Sequence, residues 1–73
     1  MNTNIDKMRI QVMKQLYFKG LKVKLIHMEG ESQMSFGLIG EIEYVDDIGQ
    51  IHVQWENGSS LALNADIDKF EII

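Results

Sequence analysis

The chain of 73 residues contains neither cysteine nor proline. Without cysteine, the fold gains no support from disulfides or thiolate metal sites. No apolar run approaches the roughly 20 residues of a membrane-spanning helix, and the first residues do not resemble a signal peptide. Apolar residues make up 45% of the chain, which is enough for one core. We therefore expect a cytoplasmic protein with a single domain, residues 1–73, and marginal stability.

Apolar and polar side chains alternate through three short stretches between residues 40 and 63. A period of two with one apolar face is typical of half-buried antiparallel strands. These stretches therefore predict the centre of a β-sheet. The apolar members are Ile42 and Tyr44 in the first stretch, Ile51, Val53 and Trp55 in the second, and Leu61 and Leu63 in the third.

The first turn of this sheet is predicted at residues 46–49. A four-residue loop there places Gly40 opposite Trp55, so that the residue without a side chain faces the largest one. The same register pairs Tyr44 with Ile51 and turns both side chains inward. We therefore expect Gly40 and Trp55 to have structural roles.

The second turn offers two alternatives. Asn57-Gly58 is a strong signal for a two-residue hairpin loop, but that loop turns Leu61 and Leu63 toward water. A three-residue loop that begins at Glu56 buries both leucines, and each burial contributes roughly 1.5–3 kcal/mol. The sequence therefore predicts the three-residue loop, with Gly58 at positive φ and with structural roles for Asn57 and Gly58.

A helix is predicted over residues 4–18, ending before Gly20. It carries two apolar stripes, and one small barrel can hardly cover both. Either the helix lies deep in a groove, or the second stripe contacts another subunit; we expect self-association. The first stripe is Ile5, Met8, Val12 and Leu16, and the second is Ile10, Met13 and Tyr17.

The remaining chain adds strands on both sides of the central sheet. Residues 21–28 are predicted to form a strand, because Leu21, Val23 and Leu25 alternate with Lys22 and Lys24. Phe70 with Ile72 indicates a closing strand. The predicted fold is mainly β: a small five-stranded antiparallel barrel over residues 21–73, preceded by one N-terminal α-helix.

Charge is distributed unevenly. Residues 1–24 hold six bases and one acid, whereas residues 25–73 hold one base and ten acids. A basic helix that docks on an acidic sheet explains this, and so does a basic surface that contacts nucleic acid. A third alternative is an acidic surface that imitates DNA. The candidate nucleic-acid contacts are Lys7, Arg9, Lys14, Lys19, Lys22 and Lys24.

The segment Gly40-x-Ile-x-x-Val-Asp-Asp-Ile-Gly-x-Ile-x-Val-x-Trp-Glu-Asn-Gly-Ser-Ser-Leu61 resembles a bacterial family catalogued only as a domain of unknown function. The resemblance covers nearly the whole chain, although Glu56 stands where aspartate is usual. It implies a small protein of phages, plasmids or conjugative elements of Gram-positive bacteria. The Val-x-Trp-acid-Asn-Gly-Ser portion also resembles barrels of the SH3-like class. Neither resemblance implies an activity.

The two histidines are weak candidates for a site. His52 is expected on the outer face opposite Glu43, as an ordinary cross-strand pair. His27 and His52 do not have the spacing of a metal site. We expect no bound metal and no cofactor.

No arrangement of residues indicates catalysis. Ser59 and Ser60 lie in a turn, where serine is common, and no histidine is spaced to act as their base. Asp46 and Asp47 are expected to be solvated at a hairpin tip. The glycines match no phosphate-binding motif. The chain is therefore not expected to be an enzyme.

These patterns favour a non-catalytic protein-interaction or adaptor module of a mobile element, with self-association through the second stripe. The alternative is a nucleic-acid accessory protein that uses the basic residues. No membrane contact is expected, and the protein partner is not identified by the sequence.

Replacing Gly58 by alanine tests the predicted turn. Alanine resists positive φ, so Gly58→Ala is expected to lower the free energy of unfolding by about 1 kcal/mol. Thermal denaturation measures this change. An unchanged melting temperature would contradict the three-residue turn.

Overall fold

The computed structural model describes the backbone of residues 3–73 and the side chains of residues 6–73, so the predicted contact of Ile5 lies outside the described side chains. Within this range the chain forms one helix and five strands, as predicted. The helix ends two residues before the predicted boundary. The elements are α1 (Thr3–Leu16), β1 (Lys22–His27), β2 (Ile39–Val45), β3 (Gln50–Trp55), β4 (Leu63–Asn64) and β5 (Lys69–Ile72).

The five strands form one antiparallel sheet in the order β4-β3-β2-β1-β5. In the part of the chain that the structure describes, β4 and β5 each have a single hydrogen-bonded neighbour. The sheet is therefore open, and the predicted closure into a barrel is not seen. The third apolar stretch contributes only the two-residue β4, which leaves one edge short.

Gly40 and Trp55 lie directly opposite each other in β2 and β3, as predicted. A Cβ atom on residue 40 would come within 2.7 Å of Cε3 of the indole and closer still to Cγ1 of Val53. The indole Nε1 donates a hydrogen bond of 2.8 Å to the carbonyl of Leu61. Trp55 therefore fixes both the β2–β3 register and the course of the chain toward β4.

The β2–β3 register shifts at a β-bulge between Ile42 and Tyr44. Beyond the bulge, Tyr44 pairs with His52, not with Ile51 as predicted, and its side chain is 54% exposed. Val45 takes the inward position. The inward orientation predicted for Tyr44 is therefore wrong, because one extra residue on a bulged strand reverses the facing of the residues that follow.

The second turn has the predicted three-residue loop. The amide of Trp55 donates to the carbonyl of Ser59 at 3.0 Å, and the amide of Gly58 donates to the carbonyl of Trp55 at 3.0 Å. Gly58 has φ +88°, and the Asn57 side-chain oxygen accepts the Ser59 amide at 3.0 Å. The turn places Leu63 in the core.

The helix packs on the sheet with its second apolar stripe, and not with the first stripe as expected. Met13 is buried in the core, Ile10 is half-buried, and the ring of Tyr17 packs edge-on against Phe70 at 5.7 Å. The stripe that the sequence assigned to self-association is therefore an intramolecular contact. The stripe predicted to cover the core is exposed instead: Met8 is 68% exposed, Val12 53% and Leu16 59%.

Charge explains this choice of helix face. On an α-helix, Arg9 and Lys14 flank the Met13 stripe on its two sides. Burying that stripe brings Arg9 to Asp66 and Lys14 to Asp47, and both ion pairs form. Apolar periodicity alone does not distinguish the two stripes.

The core occupies the inner face of the sheet, below α1 and the loop between β1 and β2. Methionines from the helix and this loop fill the space above the strands, as flexible side chains often do. The buried residues are Met13, Val23, Leu25, Met28, Met34, Ile42, Val45, Ile51, Val53, Trp55 and Leu63.

Gly40→Ala tests the close contact between β2 and Trp55. The added methyl group would overlap the indole and Val53, so we expect a loss of about 1–3 kcal/mol in the free energy of unfolding. Urea denaturation measures the loss. Gly58→Ala is the matched control, because its added Cβ meets no atom within 4 Å and only backbone strain remains. A loss at Gly40 below about 1 kcal/mol would contradict the steric role of Gly40.

Candidate functional site

The exposed apolar stripe of α1, formed by Met8, Val12 and Leu16 and called here the outer stripe, is the clearest candidate surface. Its members recur every four residues, so they lie along one face of the helix. Exposed Gln11 and Gln15 border the outer stripe on one side, and neither carries a charge. An apolar surface of this kind with a polar border is typical of a protein contact site.

The helix is attached to the sheet on both of its flanks. The Arg9 guanidinium donates to the Asp66 carboxylate, and the Lys14 Nζ lies 2.8 Å from Oδ1 of Asp47. The hydrogen bond and charge of Asp66 raise the pKa of Arg9 above its ordinary value. With Met13 buried between them, these contacts hold the outer stripe in a fixed orientation toward solvent.

A groove of about 480 Å³ lies between α1, the first turn and the segment after β4. Ile10, Ile48 and Ala65 contribute apolar walls, and the Arg9–Asp66 pair lies within it. The groove lining mixes apolar and charged side chains, so it does not indicate one class of ligand. It is therefore a weaker candidate than the outer stripe.

The six basic residues predicted to contact nucleic acid do not share one surface. Arg9 and Lys14 are paired with acids of the same chain, and Lys22 Nζ lies 3.8 Å from Glu41. Lys24 Nζ lies 5.4 Å from the ring centroid of Phe36. Lys22 and Lys24 alternate with buried residues of β1, so they lie on the sheet face opposite the helix. Lys7 and Lys19 are exposed.

The bulge in β2 creates a cluster that the sequence did not predict. Nε2 of His52 lies 2.7 Å from Oδ2 of Asp46, and the imidazole stacks on Tyr44 with ring centroids 4.3 Å apart. Oδ1 of Asp46 accepts the amides of Gln50 at 2.9 Å and Ile48 at 3.1 Å. An aspartate at the first position of a turn commonly accepts hydrogen bonds from nearby backbone amides, so Asp46 is the sequence signal for these contacts.

This cluster stabilises the ionised form of Asp46. The hydrogen bond from His52 lowers the pKa of that carboxyl below its usual value, against an opposing effect of desolvation. The amides of Gln50 and Ile48 lower the pKa further. We conclude that the cluster organises the first turn, since each of its polar contacts is local to the hairpin.

The predicted pairing of His52 with Glu43 is wrong, because the bulge places Tyr44 opposite the histidine. His27 lies 3.3 Å from Glu29 in a different part of the fold. Within the described residues, no group of three histidines or acids is arranged to hold a metal ion.

The serines of the second turn make local contacts. Ser59 Oγ accepts the amide of Leu61 at 3.2 Å, and Ser60 is exposed in the same loop. Asp47 is exposed to solvent, as expected, and its Oδ1 accepts a hydrogen bond from Lys14 Nζ. The same expectation is wrong for Asp46, whose side chain is only 24% exposed because it contacts His52 and the backbone amides of the turn. No described helix is long and apolar enough to cross a membrane.

The chain forms a small, mainly β domain with one N-terminal helix, and the outer stripe of that helix is exposed. The chain belongs to the family described as Domain of unknown function (DUF4314), whose model matches residues 6–73. No curated protein and no solved structure matches the chain.

Asp46→Asn tests the ionised cluster. The pKa of Asp46 is lower in the folded state than in the unfolded state, so the ionised carboxylate stabilises the fold. This stabilisation is fully present above the unfolded pKa of about 3.9 and is lost as the pH falls through the folded pKa. We expect Asp46→Asn to lower the free energy of unfolding by about 1 kcal/mol at neutral pH, with the difference narrowing below about pH 4.

Denaturant titrations from neutral to acidic pH measure this difference. Glu43→Gln is the control, because it removes a neighbouring exposed carboxylate without touching the turn. A pH-independent difference for Asp46→Asn would contradict the electrostatic role of Asp46.

Proposed function

We propose that this domain is a non-catalytic protein-interaction or adaptor module and that the outer stripe of α1 is its contact surface. The supporting observation is that Met8, Val12 and Leu16 remain more than half exposed although the other side of the helix is packed on the sheet. The family assignment adds no activity to this proposal.

The outer stripe fits an apolar groove or an amphipathic helix of a partner. Its three members span eight residue steps, or about 12 Å of helix. Apolar anchors at this spacing are used when a helix lies in a hydrophobic groove. Fully burying one such side chain contributes about 1.5–3 kcal/mol, so three half-exposed anchors support a moderate affinity.

The nucleic-acid alternative receives less support. Phosphate binding needs unpaired cations that share a surface. Arg9 and Lys14 are already bonded to Asp66 and Asp47, and the lysines of β1 lie on the other side of the sheet. The acidic remainder of the chain would also repel a phosphate backbone.

We extend the proposal to a cytoplasmic role in a mobile genetic element. This extension depends on the resemblance of the central segment to small proteins of phages, plasmids and conjugative elements. The partner is then a protein of the element or of its host.

Val12→Glu tests the contact surface. The substitution places a charge at the centre of the outer stripe without disturbing the buried side of α1. The bait is the tagged domain, and the measured quantity is its affinity for a protein that co-purifies with it in equal amount. We expect Val12→Glu to weaken this affinity by at least tenfold, because the charge would be buried without a counterion.

Gln15→Glu is the matched control, since it adds the same charge to the same helix at an exposed position beside the outer stripe. It should leave the affinity nearly unchanged. Amide shifts on titration with the purified partner should fall on α1. Equal affinities for both variants, with shifts confined to the sheet, would contradict the proposal.

A further inference from the structure

The edge of the sheet at β5 has backbone groups directed outward. The amide of Ile73 donates to the carbonyl of Lys22 at 3.1 Å, so residue 73 faces β1. Alternate residues of an antiparallel strand direct their N–H and C=O groups to the same side. Glu71 therefore also faces β1, while Phe70 and Ile72 direct theirs away from it. No strand of the described chain lies beyond this edge.

The side chains of β5 differ between its two faces. Phe70 packs against Tyr17 on the inner face, and Ile72, of the same parity, is half-exposed beside it. Lys69 and Glu71 are exposed on the outer face. The strand thus has an incompletely covered apolar side and a charged side with one residue of each sign.

We propose that β5 pairs edge to edge with β5 of a second copy of this chain, antiparallel and centred on Phe70. In that register the two Phe70 residues exchange backbone hydrogen bonds across a two-fold axis. Lys69 of each copy then lies opposite Glu71 of the other. The two sheets become one continuous sheet, and Ile72 lies diagonal to Phe70 of the second copy on the inner face.

Charge selects this register over its neighbours. Centring the pair on Glu71 also matches outward-facing residues with each other, but it sets the two Glu71 carboxylates opposite each other. Centring it on Lys69 opposes two ammonium groups. Like charges directly opposite in a sheet are destabilising, whereas opposite charges contribute favourably. The register centred on Phe70 alone gives two opposite-charge pairs.

The existing sheet supports the same arrangement. Glu71 already lies opposite Lys24 of β1. In the dimer it lies between Lys24 of its own chain and Lys69 of the second copy, so charges alternate across the strands. The charges on an edge strand usually discourage pairing with arbitrary strands. Here they reject most partners and fit a second copy, which is how specificity is commonly achieved.

The four-residue edge buries far less area than a standard interface, so the dimer is expected to be weak. Sedimentation equilibrium and amide shifts on dilution from about 1 mM to about 10 µM cover the corresponding affinity range. We expect the amides of Phe70 and Ile72 to shift with concentration. A monomer at the highest concentration, or growth beyond a dimer, would overturn the proposal.

Charge reversal tests the register. In the proposed register, Glu71→Lys places a second ammonium group opposite Lys69 of the other copy, at both symmetric positions. Dimerisation should therefore weaken by about tenfold or more. The double variant Lys69→Glu with Glu71→Lys exchanges the signs and should recover most of the loss. Failure of the double variant to recover, with both variants folded by thermal denaturation, would overturn the register.

A backbone variant separates pairing from folding. Ile72→Pro removes an amide that faces away from β1, so the fold should persist while dimerisation is lost. Val12→Glu, on the outer stripe, should leave dimerisation unchanged because it lies on a different surface. Loss of the dimer in Val12→Glu together with its retention in Ile72→Pro would overturn the assignment to β5.

Discussion

The contact between Trp55 and Gly40 determines how the strands of this domain fit together. The indole lies where a side chain on residue 40 would stand, so β2 approaches β3 closely at this point. Through its Nε1 hydrogen bond to Leu61, the same ring directs the chain toward β4. Four other buried residues lie on the two strands that this contact aligns, so the centre of the inner face depends on it: Ile42, Val45, Ile51 and Val53.

The parts of the fold that were predicted correctly are those with strong local signals. Alternation identified the strands, and the burial of leucine decided the second turn in favour of three residues with Gly58 at positive φ. The pairing of Gly40 with Trp55 was predicted from the register of a four-residue first turn, and it holds although the register shifts nearer the turn. For the strands and the second turn a single physical term outweighed its competitors, so one sequence was sufficient.

The errors arose where two solutions differed little in local energy. The β2 bulge inserts one residue and exposes Tyr44, and strict alternation contains no sign of it. The two stripes of α1 are similarly apolar, and the choice between them depends on acids that lie far along the chain, at Asp47 and Asp66. Tertiary contacts of this kind are not visible in periodicity.

Half of the six bases in residues 1–24 pair with acids of the same domain. Exposed ion pairs contribute only about 0–1 kcal/mol each, whereas burying Met13 contributes about 1.5–3 kcal/mol. The burial of Met13 therefore supplies most of the attachment of α1, and the pairs at Arg9 and Lys14 select its rotation. With these two cations engaged, the surfaces that we propose for partners are apolar on α1 and backbone-polar at β5.

These two surfaces are connected by one contact. Tyr17, just beyond the end of α1, packs against Phe70, the residue at the centre of the β5 edge. A strand that gains a neighbour loses freedom at its central residue, and the ring packed on that residue is restrained with it. Ordering the β5 edge would then steady the end of the helix that presents Leu16. The Tyr17–Phe70 pair is therefore the contact through which the proposed pairing at the β5 edge would act on the end of α1, although no residue belongs to both surfaces.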